Sequence, residues 1–180
     1  ARKEVSGHET IHYVNHSPDA LHYLWFFVEQ NLCAPNSITN QLNQPPLVFL
    51  GSTFDFSCQG FAGGGRMESM RIGGVDARRT VYGTTMRVDL ATPLAPGASL
   101  DIETDWSFNV PPQRGGRMSH DGPLYDIEQW YPRLAGPDDT HGREPQPIMR
   151  ARQLYLPYGD LPVYIPVPPT AIGATPGSHP

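Results

Sequence analysis

The chain has 180 residues, with 13 Lys and Arg against 18 Asp and Glu, a net charge of −5, and 38% apolar residues. An acidic balance without a basic cluster excludes a nucleic-acid binder, and no apolar run approaches the roughly 18 residues a helical membrane span needs. Glycine and proline supply 18 and 20 of the 180 residues, well above the roughly 12% average, which excludes a helix-rich chain.

In chain order, Ala1 is followed by charged residues rather than an apolar signal core. The expectation is a cytoplasmic protein, or a secreted or periplasmic one whose signal has been removed. Residues 8–14 and 21–30 read as a strand pair joined by Asn15-His16-Ser17-Pro18-Asp19, in which Asn15-His16-Ser17 fits the glycosylation sequon. The stretch 21–30 (LHYLWFFVEQ) is apolar on both faces, and its aromatic content favours a central strand over a short helix. Residues 33–65 form a long excursion, polar at first, then carrying Pro45-Pro46 and Gly63-Gly64-Gly65. Cys33 and Cys58 flank it, 25 positions apart and not as a CxxC pair. A disulfide and two separate buried thiols both fit that spacing.

Residues 66–72 and 78–82 read as short strands, and 84–90 and 99–110 as longer ones. In 99–110, Leu100, Ile102, Thr104, Trp106, Phe108 and Val110 alternate with Asp101, Glu103, Asp105, Ser107 and Asn109, the period of a half-buried antiparallel strand. From Pro111 onward there are 14 prolines, against 6 before it. Proline cannot donate to a ladder, so 125–131 and 152–167 are expected only as edge strands. The fold expected is all-β: one antiparallel β-sandwich or saddle-like sheet domain over residues 1–167, with long loops and a Pro-rich C-terminal third, then a loose tail at 168–180.

Several motifs could carry chemistry. His8-Glu9-Thr10-Ile11-His12 is a literal H-E-x-x-H. On a helix its two imidazoles share a face about 6 Å apart and can hold zinc, with Glu29 downstream as a third ligand. On a strand the same positions stand about 13 Å apart and cannot. Because 8–14 reads as a strand, no metal and no cofactor is expected in this chain, with zinc on His8 and His12 as the alternative. Ser119-His120-Asp121 is the nearest approach to a nucleophile group, making His120 and Asp121 the catalytic candidates, although triads are assembled from distant segments. Gly63-Gly64-Gly65 precedes a strand and so is not a phosphate loop. Residues 125–133 (YDIEQWYPR) mix aromatic rings with carboxylates and an amide, as a peptide- or sugar-binding surface does, or as an edge strand packing Trp130 inward.

Residues 5–32, 64–74, 91–111, 125–139 and 154–168 together, with QWYP followed by a YGD segment, resemble the N-terminal β domain of M1-family zinc aminopeptidases, closest to a divergent bacterial branch. The resemblance implies a saddle-shaped antiparallel domain that packs on a thermolysin-like catalytic domain and lends one loop to the pocket for a substrate's amino terminus. It places HETIH in the family's first β-strand; the helical zinc motif and distal glutamate of the catalytic domain are not in this sequence. Gln129 is then the polar residue lining the pocket, with Glu128 and Tyr125 beside it. The implied partners are a peptide or small-molecule substrate and a catalytic domain. The competing readings are a small hydrolase with a site recruited onto the sandwich, and a self-associating structural module forming a homo-oligomer.

Overall fold

The structure is a computed structural model that describes residues 3–38, 41, 47–49, 52–54, 58, 61–112, 118–136, 159–168 and 170–173. Its strands, in chain order, are β1 (Glu4–Val14), β2 (Leu21–Phe27), β3 (Leu47–Phe49), β4 (Ser52–Phe54), β5 (Gly65–Ile72), β6 (Val75–Asp76), β7 (Arg79–Tyr82), β8 (Thr85–Leu94), β9 (Ser99–Asn109), β10 (Met118–Asp121), β11 (Leu124–Ile127) and β12 (Arg133–Leu134). One sheet runs β1-β9-β5-β6 and a second β12-β2-β8-β7, while β3-β4 and β10-β11 are separate hairpins. All strand pairs are antiparallel.

The two four-stranded sheets share one core. Leu24 and Phe26 of β2 and Met86, Val88 and Leu94 of β8 meet Met70 of β5 and Ile102 of β9. This is the sandwich that period-two alternation demands, since each sheet has one apolar face to bury. In β9, Ile102, Thr104, Trp106 and Phe108 are buried, and Asp101, Glu103, Asp105 and Asn109 are exposed, as the alternation requires. Ser107 departs from it: it lies on the outer phase yet is buried, its hydroxyl donating to Glu68 at 2.9 Å.

A second, smaller cluster forms where Trp106, Phe108 and Val110 pack with Val5, Met67, Met118, Trp130 and Tyr131. Gly7 makes it feasible. It pairs with Trp106 across the ladder, and a β-carbon there would sit 2.2 Å from the indole ring, so only glycine admits the indole. The β5–β6 turn needs glycine for a different reason, with Gly73 and Gly74 both at positive φ (57° and 79°) in a two-residue hairpin loop.

Four expectations are corrected. The strand expected at 21–30 ends at Phe27; Val28 donates its N–H to the Thr84 carbonyl, and the polar run Glu29–Cys33 winds into a 3-10 turn. The excursion at 33–65 contains the short β3–β4 hairpin. The strand expected at 125–131 stops at Ile127. Residues 159–167 of the expected last edge strand are exposed and belong to no strand, as Pro162 and Pro166 remove ladder donors; 152–158 lie outside the described residues. Within the tail, the Ala171 N–H bonds the Pro168 carbonyl at 2.8 Å. No helix among the described residues is long and apolar enough to cross a membrane.

Cys33 and Cys58 form a disulfide, with Cα atoms 5.2 Å apart. The bridge ties the excursion to the end of the second sheet, where the Gly63 N–H also bonds the Cys33 carbonyl at 3.0 Å. Asn15 is fully buried: its amide donates to the carbonyls of Asp19 and Leu94 (both 2.9 Å) and accepts from the Ser17 N–H. That amide closes the β1–β2 corner and is not presented to a glycosylating enzyme.

Candidate functional site: the loop between β11 and β12

The H-E-x-x-H lies within β1, in register with β9 from Glu4↔Asn109 to Val14↔Ser99. His8 and His12 share the outer face, and each donates from Nδ1 to its own cross-strand carboxylate, His8 to Asp105 at 2.8 Å and His12 to Asp101 at 2.7 Å. Four residues of extended chain separate the rings by about 13 Å, too far to chelate one ion. Asp105 also accepts from the Ser69 hydroxyl at 2.6 Å, and this bond, followed by that from His8, holds its carboxyl below the ordinary carboxylate range. Ser69 and His8 thus both bond the aspartate. A nucleophilic triad needs histidine between serine and acid, so this group cannot activate Ser69.

Ser119, His120 and Asp121 follow one another along β10, where alternate side chains point to opposite faces. Ser119 is buried, and the His120 Nδ1 accepts from the Lys3 ammonium at 2.9 Å while its ring packs 5.9 Å from Tyr125. The segment therefore assembles no serine–histidine–aspartate relay.

The residues that converge are those of Glu128–Pro132 and their supports. On leaving β11 the chain turns through Gln129, whose φ of 51° is the only positive value for a non-glycine among the described residues. Such backbone costs an ordinary residue about 1 to 2 kcal/mol and persists only where its surroundings enforce it. Four contacts do so. Trp130 packs on Trp106 with centroids 5.5 Å apart, and Tyr131 meets Trp130 edge-on at 5.2 Å. Gln30 from the 3-10 turn donates to the Gln129 carbonyl at 3.1 Å. Arg133, the first residue of β12, forms an ion pair with Glu29, both side chains nearly buried (9% and 13% exposed). Burial lowers the Arg133 pKa to about 10, which leaves the guanidinium charged at neutral pH.

Of the substrate-binding candidates, Glu128 and Gln129 lie in this loop, Glu128 exposed and Gln129 half-buried, whereas Tyr125 stands on β11 against His120. Sequence reasoning missed Glu9 as a group in its own right. It occupies the inward phase of β1 with Val5, Gly7, Ile11 and Tyr13, and its Oε2 is buried without a hydrogen-bond partner. Burial pushes its pKa up to about 7. Tyr131 lies in its field: burial first, then the Glu9 charge, raises the phenol above its ordinary value. The missed signal is a carboxylate on the apolar phase of an alternating strand.

Among the described residues, no group of three or more histidine, cysteine, aspartate or glutamate side chains is arranged to hold a metal ion. The chain matches no family model, no curated protein and no solved structure.

Proposed function

We propose that this chain is the substrate-contacting N-terminal β domain of an M1-type zinc aminopeptidase, without peptidase activity of its own, and that its β11–β12 loop meets the amino terminus of a peptide. The observation that carries this reading is the enforced left-handed backbone at Gln129, the residue that the sequence resemblance singles out. Strained backbone held by an over-determined frame is a mark of ligand-contacting loops. The local chemistry suits an ammonium group: the loop carries an amide and a carboxylate, on Gln129 and Glu128, the acceptor types that take its protons, beside the aromatic Trp130 and Tyr131. The disulfide fits an oxidising compartment, which favours the exported alternative over the cytoplasmic one.

The test is a titration of the 15N-labelled chain with a short free-amine peptide and with its N-acetylated counterpart. The expected result is a millimolar-range response of Gln129 and Trp130 to the free amine, about tenfold weaker for the acetylated peptide and lost in Gln129→Ala. Equal responses to both peptides, or a response confined to the outer face of the β1-β9-β5 sheet, would overturn the reading. Hydrolysis of the peptide by the purified chain would overturn the claim of inactivity.

Self-association is a second reading that one observation favours: Leu161, Val163, Tyr164, Ile165 and Val167 are each 46% exposed or more along one segment. Apolar surface of this extent marks docking against a further domain or another copy. A concentration-dependent mass in light scattering, abolished by Tyr164→Ser with Ile165→Ser, would show the latter.

A further inference from the structure

The exposed segment 161–167 reads Leu-Pro-Val-Tyr-Ile-Pro-Val, with Pro168 next, and belongs to no strand of its own chain. Its prolines fall on even positions, and Leu161, Val163, Ile165 and Val167 on odd ones. Resting on self-association as read above, we infer that this segment adds as a strand to the free edge of β1 in a second copy of the chain, bonding through its odd residues.

Backbone phase supplies the fit. In a strand the N–H and C=O of one residue point to the same side, and those of the next residue to the other. With proline at 162, 166 and 168, the even side keeps a single N–H, that of Tyr164, while all four odd residues keep theirs. Such a strand pairs through one side only, and its outer edge is closed to a further chain.

β1 presents the matching edge. It ends the β1-β9-β5-β6 sheet and is 11 residues long, whereas the other end strands, β6, β7 and β12, have 2, 4 and 2. The Val110 N–H donates to the Lys3 carbonyl and the Asn15 N–H to the Ala98 carbonyl, so the odd residues of β1 bond β9. Ser6, His8, Thr10 and His12 therefore point their backbone groups away from β9, and no described residue bonds those groups. Direction follows from side-chain phase. In an antiparallel pair, bonding residues lie opposite one another, which would set the four odd apolar residues beside Ser6, His8 and Thr10 on the solvent face. In a parallel pair each bonding residue lies beside a non-bonding one. Leu161, Val163, Ile165 and Val167 then extend the half-buried inward row of Val5, Gly7, Glu9, Ile11 and Tyr13, and Pro162, Tyr164 and Pro166 face water. The added strand is accordingly parallel to β1.

The experiment pairs light scattering with amide hydrogen exchange on the disulfide-bonded chain, dilute and concentrated, at pH 6, where burial keeps the inward Glu9 protonated. The mass is expected to rise with concentration, and the Ser6, His8, Thr10 and His12 amides to gain protection with it. A synthetic peptide of residues 159–168 should protect the same amides in the dilute chain. N-methylation of the peptide at Val163 or Ile165 should weaken its binding about tenfold by removing a bonding N–H, and N-methylation at Tyr164 should not. A nitroxide on the peptide's amino end should broaden Ser6 before His12. A mass that rises without protection of these amides would overturn the β1 seat and leave self-association standing, whereas a mass that never rises would overturn both. Protection independent of concentration would place the segment on its own chain and overturn the second copy. Equal loss from all three N-methylations, or His12 broadened first, would overturn the bonding phase or the direction.

Discussion

Replacing Glu9 by glutamine should stabilise this protein, and by an amount that grows with pH. The carboxyl is moved from an ordinary value of 4.5 to about 7 by burial in the folded chain. Between these two values the unfolded chain ionises first, so folding must take up a proton that the unfolded state has released. The favourable contribution of the neutral form is complete below pH 4.5, declines by about 1.4 kcal/mol per pH unit above it, and is gone once pH passes 7. The ceiling is about 3 kcal/mol, and partial solvent access to the group brings the expectation nearer 2. Glutamine has the shape of the protonated acid and no charge to release. Urea unfolding of the native chain and Glu9→Gln, followed by circular dichroism with the disulfide intact, should give nearly equal stabilities at pH 4.5. At pH 8 the variant should be about 2 to 3 kcal/mol more stable. Every other titrating group is common to both proteins, so the difference curve isolates Glu9. A difference that stays flat from pH 4.5 to 8 would refute the burial argument, and one that falls with pH would show that Glu9 has a cationic partner.

Other changes test the frame around the loop. Trp106→Ala removes a buried ring that supports both Phe108 and Trp130 and should cost about 3 to 5 kcal/mol in denaturant unfolding; a loss below about 1 would place that ring at the surface. Arg133→Leu breaks the nearly buried ion pair with Glu29 and should cost about 3 to 5 kcal/mol, while adding Glu29→Leu should recover much of the loss, as a double-mutant cycle would register. Reducing Cys33–Cys58 releases a cross-link between residues 25 apart and should lower stability by about 3 kcal/mol; two reactive thiols in the denatured, unreduced chain would refute the bridge. His8→Ala and His12→Ala each remove one exposed pair and should each cost under about 1 kcal/mol and add when combined, so strong coupling between them would contradict the extended β1.

The sandwich was legible because alternation is a direct image of burial on a two-sided strand. In β9 the sequence phase and the observed faces agree except at Ser107, where Glu68 accepts a hydrogen bond from the hydroxyl. Strand ends were less legible, because they depend on partners remote in sequence. Phe27 ends β2 where the Val28 N–H reaches Thr84 and Glu29 turns to Arg133, and nothing within LHYLWFFVEQ announces an arginine more than 100 positions later. The same holds for Cys33 and Cys58, whose spacing permits a bridge but does not require one.

The site shows the same division more sharply. HETIH reads as strand, and the consequence for the histidines follows at once from the period: residues 8 and 12 face outward together, too far apart for one ion. The same period places residue 9 inward with Val5, Gly7, Ile11 and Tyr13, so the buried carboxylate was written in the sequence. What was not written there is where the β11–β12 loop packs. The loop owes its position to the indole of Trp106, and that indole fits against β1 only because residue 7 has no side chain. Gly7, Trp106 and Trp130 thus form one arrangement: glycine admits the ring, and the ring seats Trp130. Gly7→Ala should therefore displace the Trp106 indole and unseat Trp130, read as shifts of both indole resonances; unchanged indole signals would refute the arrangement.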